Sequence, residues 1–218
     1  MPTLLSQGIY TTAEIADLTG IPSHRVRSWV NAGARSVGLL SPGLGRVGLQ
    51  PLLSFLDLVE ILVAGQLREQ GVTMQSVRRV HSAMKDIFSE RHPFAHERLL
   101  TDGKRVFQHA IDHAGQDRVL DVLHRQQIFP EVLLPYLQKL EYDPTTRLAL
   151  RWNVADGVVV DPQRSFGKPI VDRSGIPTRV LSSAYVANDN NADLVASWYE
   201  VPLEDVMHAV NYDLEQAA

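Results

Sequence analysis

The sequence predicts a mainly α protein with small β-hairpins: an N-terminal winged helix-turn-helix and a small C-terminal domain of three helices. Three observations carry this expectation. Thr12 to Val30 reads as two short helices around a glycine turn. Leu52 to Ile87 then repeats apolar residues at intervals of three and four, with a break at Gly71. The last forty or so residues hold three further stretches with the same spacing.

Each element has its local reason. In the first helix Ile15 and Leu18 lie three apart beside Ala13 and Ala16. Gly20 permits the turn, and Pro22 suits the first position of the second helix. At about 100° per residue, Val26, Trp29 and Val30 share one side of that helix. His24 and Ser28 point the other way, flanked by Arg25 and Arg27. An ordinary surface helical hairpin would give the same local pattern. A helix with an apolar back and a basic front also suits a DNA major groove. Asn31 to Gln50 is Gly-rich, with Arg35 and Arg46, and fits a loop or β-wing. Leu52 to Gln70 is predicted helical and ends at Gly71, and Thr73 caps the next helix through Ile87. Glu97 to His109 resembles a hairpin turning at Asp102-Gly103. Ile111 to Leu140 is expected to be helical, with Pro130 at a helix start and Pro135 bending or shortening it. A second hairpin is expected around Asp156-Gly157, and a short strand at Ile170-Val171. Helices are expected near 180–186, 192–199 and 203–214. These elements divide into residues 1–92, the winged helix-turn-helix; 93–149, a hairpin and helical linker region; and 150–218, the C-terminal module.

Composition narrows the function. Of 218 residues, 44% are hydrophobic, enough for real cores, and none is cysteine. That excludes disulfides, cysteine zinc sites and a cysteine nucleophile. The greasiest segment, Leu52 to Leu67, is interrupted by Asp57 and Glu60. Neither a signal peptide nor a membrane span is read, and the expected location is the cytoplasm. The net charge of −4 is uneven: +2 over residues 1–50, −1 over 51–150 and −5 over 151–218. No Lys or Arg follows Arg179, while seven carboxylates do. The C-terminal end is therefore a poor match for a phosphate backbone, and a solvated acidic surface is the simplest alternative.

Two resemblances follow from particular residues. Gly20, Arg27 and Trp29, with the wing and the segments FLDLVEI and REQGVTMQSVRRV, resemble the DNA-binding domain of MerR-type regulators over residues 9–90. The run DPQRSFGKPIVDRSGIPTRVL, followed by DLVASWYEVPLEDVMHAVNYDLE, resembles a small bacterial domain of VapB-type antitoxins. Its strand pattern falls on Gly167 to Val171, its turn on Gly175 to Thr178, and its helix pattern on Val195, Ala196, Tyr199, Asp205, Val206, Ala209 and Tyr212. The segment RHPFAHERLLTDGKRVF is similar to longer antitoxins of this kind with a MerR-like head. The resemblance implies a type II toxin–antitoxin antitoxin that inhibits a PIN-like ribonuclease toxin and represses its own operon, as a homodimer or a toxin–antitoxin hetero-oligomer. The chain departs from metal-sensing MerR proteins in lacking cysteine. Its post-wing helix, ending near Pro93, also departs from their long dimerising helix.

On that reading His24, Arg25, Arg27 and Ser28, with Arg35 and Arg46 from the wing, contact operator DNA. Arg164, Lys168, Arg173 or Arg179 would enter the acidic metal cluster of the toxin. The acidic helices (Glu200, Glu204, Asp205, Asp213, Glu215) would oppose a basic RNA-receiving rim, and Trp198 and Tyr199 would anchor the contact if exposed. For each arginine, solvent exposure or a local salt bridge is the plainer role, and Trp198 at that spacing is more often core. The alternative function is a stand-alone MerR-like regulator with a C-terminal sensing or oligomerisation module. Enzymatic readings are weak, and no cofactor or metal is expected. His109 and His113 stand four apart without an evident third ligand, and Pro93 separates His92 from His96. The glycines at 43, 45 and 48 lack a preceding strand, and no serine has a nucleophile-elbow context.

Overall fold

A computed structural model describes residues 7–30, 38–40, 42–114 and 132–217. Among them the chain is mainly helical with small antiparallel sheets. It divides into two compact units, one of residues 10–149 and one of residues 150–217 with 7–9.

The first unit opens with α1 (Thr12–Thr19) and α2 (Ser23–Val30). Thr11 and Glu14 form a reciprocal capping box that starts α1, and Gly20 ends it at φ 70°. Pro22 lies one position earlier than expected. It precedes α2 and its carbonyl accepts from the N–H groups of Arg25 and Val26, so it closes the first turn from outside. Where a wing is expected the chain forms a minimal hairpin, β1 (Arg46–Val47) paired with β2 (Gln50–Pro51).

α3 (Phe55–Glu69) begins later than its apolar pattern predicts. Leu53 is claimed by a backbone bridge to Tyr10, and Ser54 with Asp57 forms a capping box that sets the helix start. α4 (Met74–Phe88) is capped by Thr73, as expected. The expected hairpin at Glu97–His109 is instead α5 (Arg98–Ala114). Leu99, Val106, Phe107 and Ala110 are all buried, a helical rather than an alternating pattern, and α5 packs along α4. The Asp-Gly signal survives only as a kink, with Asp102 at φ −122° and ψ 16°. Pro135 sits in the first turn of the short helix α6 (Leu134–Leu137), before strand β3 (Leu140–Tyr142). Pro130 and much of the helix expected over 111–140 lie outside the described residues.

In the second unit β4 (Ala149–Ala155), β5 (Val158–Val160) and β6 (Pro169–Val171) run antiparallel in succession. The hairpin turns at Asp156-Gly157 as its sequence indicates. Gly157 is required there twice over: its φ is 67°, and a Cβ would lie 2.5 Å from the His208 ring. Three helices follow, α7 (Thr178–Ala187), α8 (Ala192–Tyr199) and α9 (Leu203–Ala217). Val171, Leu181, Val195, Val206, Ala209 and Val210 close a small core between the last strand and these helices. Asp213 of α9 accepts hydroxyl hydrogen bonds from both Thr178 and Ser182, pinning α7 to α9.

Candidate nucleic-acid and partner-binding surfaces

On α2 the buried side is Val26, Trp29 and Val30, and His24, Arg25, Arg27 and Ser28 are all exposed. The helix thus has the two faces read from its spacing. Two of the outward groups are braced by their own helix. The Arg27 Nε donates to the Ser23 carbonyl at 3.4 Å, and the Ser28 hydroxyl donates to the Arg25 carbonyl at 2.7 Å. In the β1–β2 hairpin, the Arg46 guanidinium donates to the Leu49 carbonyl at 3.0 Å, across the turn. Leu49 at the tip is 91% exposed. Arg35, like Asn31, Ser6 and Ser41, lies outside the described residues.

The same unit holds a buried polar cluster that the sequence showed only as interruptions of a greasy helix. Glu60, fully buried on α3, accepts the Phe94 N–H at 2.9 Å and stands 2.7 Å from the His81 Nε2 on α4. One carboxylate therefore joins α3, α4 and the 3-10 turn at Pro93–Ala95. His92 lies 3.8 Å from Asp57. Burial lowers its pKa, against the opposing pull of Glu60 and Asp57. His96 is also lowered by burial and by Arg98; its ring stacks on Phe88 and its Nδ1 accepts the Arg98 N–H. His92 and His96 are thus occupied structurally. Among the described residues, no group of three or more His, Asp or Glu is arranged to hold a metal ion.

In the second unit the four predicted cations divide. Arg164 is clamped to Asp172, at 2.9 Å to its carboxylate and 2.7 Å to its carbonyl, and Arg151 reaches the same carboxylate at 3.1 Å. Arg173 reaches Glu204 at 3.3 Å and Asp205 at 3.8 Å. Lys168 and Arg179 are exposed. Asp205 is only 1% exposed, so it supports Arg173 from beneath, whereas Glu204 is at the surface. His208 lies 3.7 Å from both Asp156 and Glu204, extending that charged cluster to the β4–β5 turn.

Trp198 is 59% exposed, and Tyr199 beside it is partly open. Further apolar side chains of the closing helices are exposed with them. Leu203, Met207 and Leu214 of α9 are exposed, as are Leu194 on α8 and Val180 on α7. Leu203, Met207, Val210 and Leu214 stand at intervals of four, three and four, a single helical stripe of which only Val210 is buried. The spacing shows that these residues share a side of α9, but not that no other element of the unit covers it. Phe166 is a further exposed aromatic, held at φ 58° in a loop where the preceding Ser165 is also left-handed.

No helix among the described residues is long and apolar enough to cross a membrane. Residues 158–212 match a family model described as "Protein of unknown function (DUF433)". The chain is 25% identical over 189 residues to a Mycobacterium tuberculosis protein named "Putative antitoxin VapB45", covering 77% of this chain and 78% of that one. Among solved structures, the crystal structure of Rv2018 from Mycobacterium tuberculosis superposes with a TM-score of 0.74 at 23% identity, over 92% of this chain and 96% of that one. The fold is therefore shared with Rv2018 along nearly the whole chain.

Proposed function

We propose that this protein is the antitoxin of a type II toxin–antitoxin pair, acting by binding rather than by turnover in the cytoplasm. The observation that carries the reading is the set of exposed apolar side chains on α8 and α9. Trp198, Tyr199, Leu203, Met207 and Leu214 lie in a stretch that holds carboxylates and no Lys or Arg. Exposed apolar residues in such number mark a surface that another protein covers, and aromatic side chains supply the strongest anchors in such contacts. The similarity to a protein named as an antitoxin supports the same assignment. The proposed partner is a PIN-like ribonuclease whose catalytic carboxylates would receive a cation and whose RNA-receiving rim would face Glu200, Glu204 and Glu215. Lys168 and Arg179 are better placed for this than Arg164 and Arg173, which already hold local carboxylates.

In the same proposal α2 and the wing form a MerR-like reading head for the operator. Trp29 and its neighbours anchor the helix, leaving Arg25 and Arg27 outward. A protein that represses through a symmetric operator acts as a dimer. The test begins with the neighbouring genes, where a small PIN-like protein is expected, and continues with co-expression of the two chains. Co-purification and loss of ribonuclease activity are expected, with inhibition weakened by Trp198→Ala and by Arg179→Glu. A stable pair that retains full inhibition with both substitutions would remove this face from the assignment.

A further inference from the structure

We propose that a cleft along α5 binds an organic phosphate of nucleotide size. It lies within the first unit and has a volume of about 790 Å³, inside the roughly 300–1,000 Å³ span of small-molecule sites. Arg98, Asp102, Arg105 and His109 line it at intervals of four, three and four residues, one stripe of the helix, and Lys104 adjoins them. Among the described lining residues, Arg98, Lys104 and Arg105 set three permanent cations against the carboxylate of Asp102. This concentration occurs in a chain whose overall charge is −4, so it runs against the general balance of the surface.

Two further features give the cleft the character of a built site. The Arg98 guanidinium lies 4.9 Å from the centre of the Phe88 ring, which restrains it before any ligand arrives. Ile87 of α4 and Val106 of α5 provide apolar lining beside the charges. Cations beside an apolar wall suit a molecule with an anionic end and a flat or apolar end. A bare inorganic anion would leave the wall unused. Duplex DNA is a poorer match, because these cations line a concavity with apolar sides rather than a ridge that could follow two strands. The site goes beyond the antitoxin reading and does not depend on it.

The experiment is an anisotropy titration of the full chain with the fluorescent nucleotide mant-ATP. The comparison probe is mant-adenosine, which lacks the phosphates. Saturable binding of mant-ATP is expected, competed by ATP and more weakly by pyrophosphate, with no saturation by mant-adenosine. The exposed pair change Lys104→Glu with Arg105→Glu should weaken binding at least about tenfold, and Arg27→Ala should leave it unchanged. Arg105→Gln, checked by thermal melting, serves if the double variant does not fold, and should show a smaller loss in the same direction. The proposal is overturned by no saturable binding at millimolar mant-ATP, by equal binding of mant-adenosine, or by binding that these variants do not alter. An effect of the variants on duplex DNA alone would also overturn it, assigning the cations to nucleic-acid contact.

Discussion

At the scale of single residues, exposure separates what holds the molecule together from what is available to others. Leu181 is fully buried, and Leu181→Ala should cost about 2–5 kcal/mol of stability by denaturant unfolding. Leu214 is 64% exposed, and Leu214→Ala should change stability by less than about 0.5 kcal/mol while weakening capture of the proposed toxin partner. If both substitutions act on stability alone, the α9 stripe is not a contact surface. His92 makes a second residue-level prediction. Its pKa is depressed from 6.5 by burial, so the unfolded chain takes up its proton first. The stability it contributes is complete above the unfolded value and is lost as pH falls through 6.5 towards the folded value. Glu60 and Asp57 of α3 face it, with Arg91 and Glu90 adjacent in sequence. The melting temperature should therefore fall between pH 7.5 and 5.5, and His92→Gln should flatten that slope. A slope untouched by the substitution would place the titration elsewhere.

At the scale of elements, Glu60 links α3, α4 and the turn at Pro93–Ala95 through one side chain. Glu60→Ala leaves the buried Phe94 N–H and His81 without their partner and should cost about 3 kcal/mol or more. Glu60→Gln keeps a carbonyl oxygen for Phe94 and should cost clearly less. Equal losses would mean that the contact with His81, not the backbone bond, dominates. The elements themselves were largely legible. α1, α2, α4, the Asp156-Gly157 hairpin and the three closing helices follow from spacing, caps and turn residues. α5 was misread because a strong local turn signal competed with the weaker spacing of Leu99, Val106 and Ala110, and packing against α4 decided for the helix. Glu60 was illegible in its role, since a carboxylate in a greasy helix is explained only by a partner residue far away in sequence. The exposure of Trp198, Met207 and Leu214 was hidden for a related reason. Periodicity reveals that residues share a side, but not whether another element covers it.

At the scale of the whole chain, charge is uneven, with the net negative charge gathered towards the C-terminal end. In the proposed complex two protomers would each neutralise three or four phosphates through α2 and the wing. The logarithm of operator affinity should then fall with the logarithm of salt at a slope of about −5 to −7. Gel-shift titrations over a salt series would show this, and Arg27→Ala should make the slope shallower. A nearly salt-independent affinity would sink the model. The acidic end has its own practical corollary. Because no Lys or Arg follows Arg179, trypsin has no cleavage site anywhere beyond that residue. Chymotrypsin does, at Trp198, Tyr199, Leu203 and Leu214, which are open to solvent on α8 and α9. The two proteases therefore make a matched pair for footprinting. Trypsin reports on the rest of the chain, and the rate of chymotryptic nicking reports whether the α8 and α9 surface is bare or occupied.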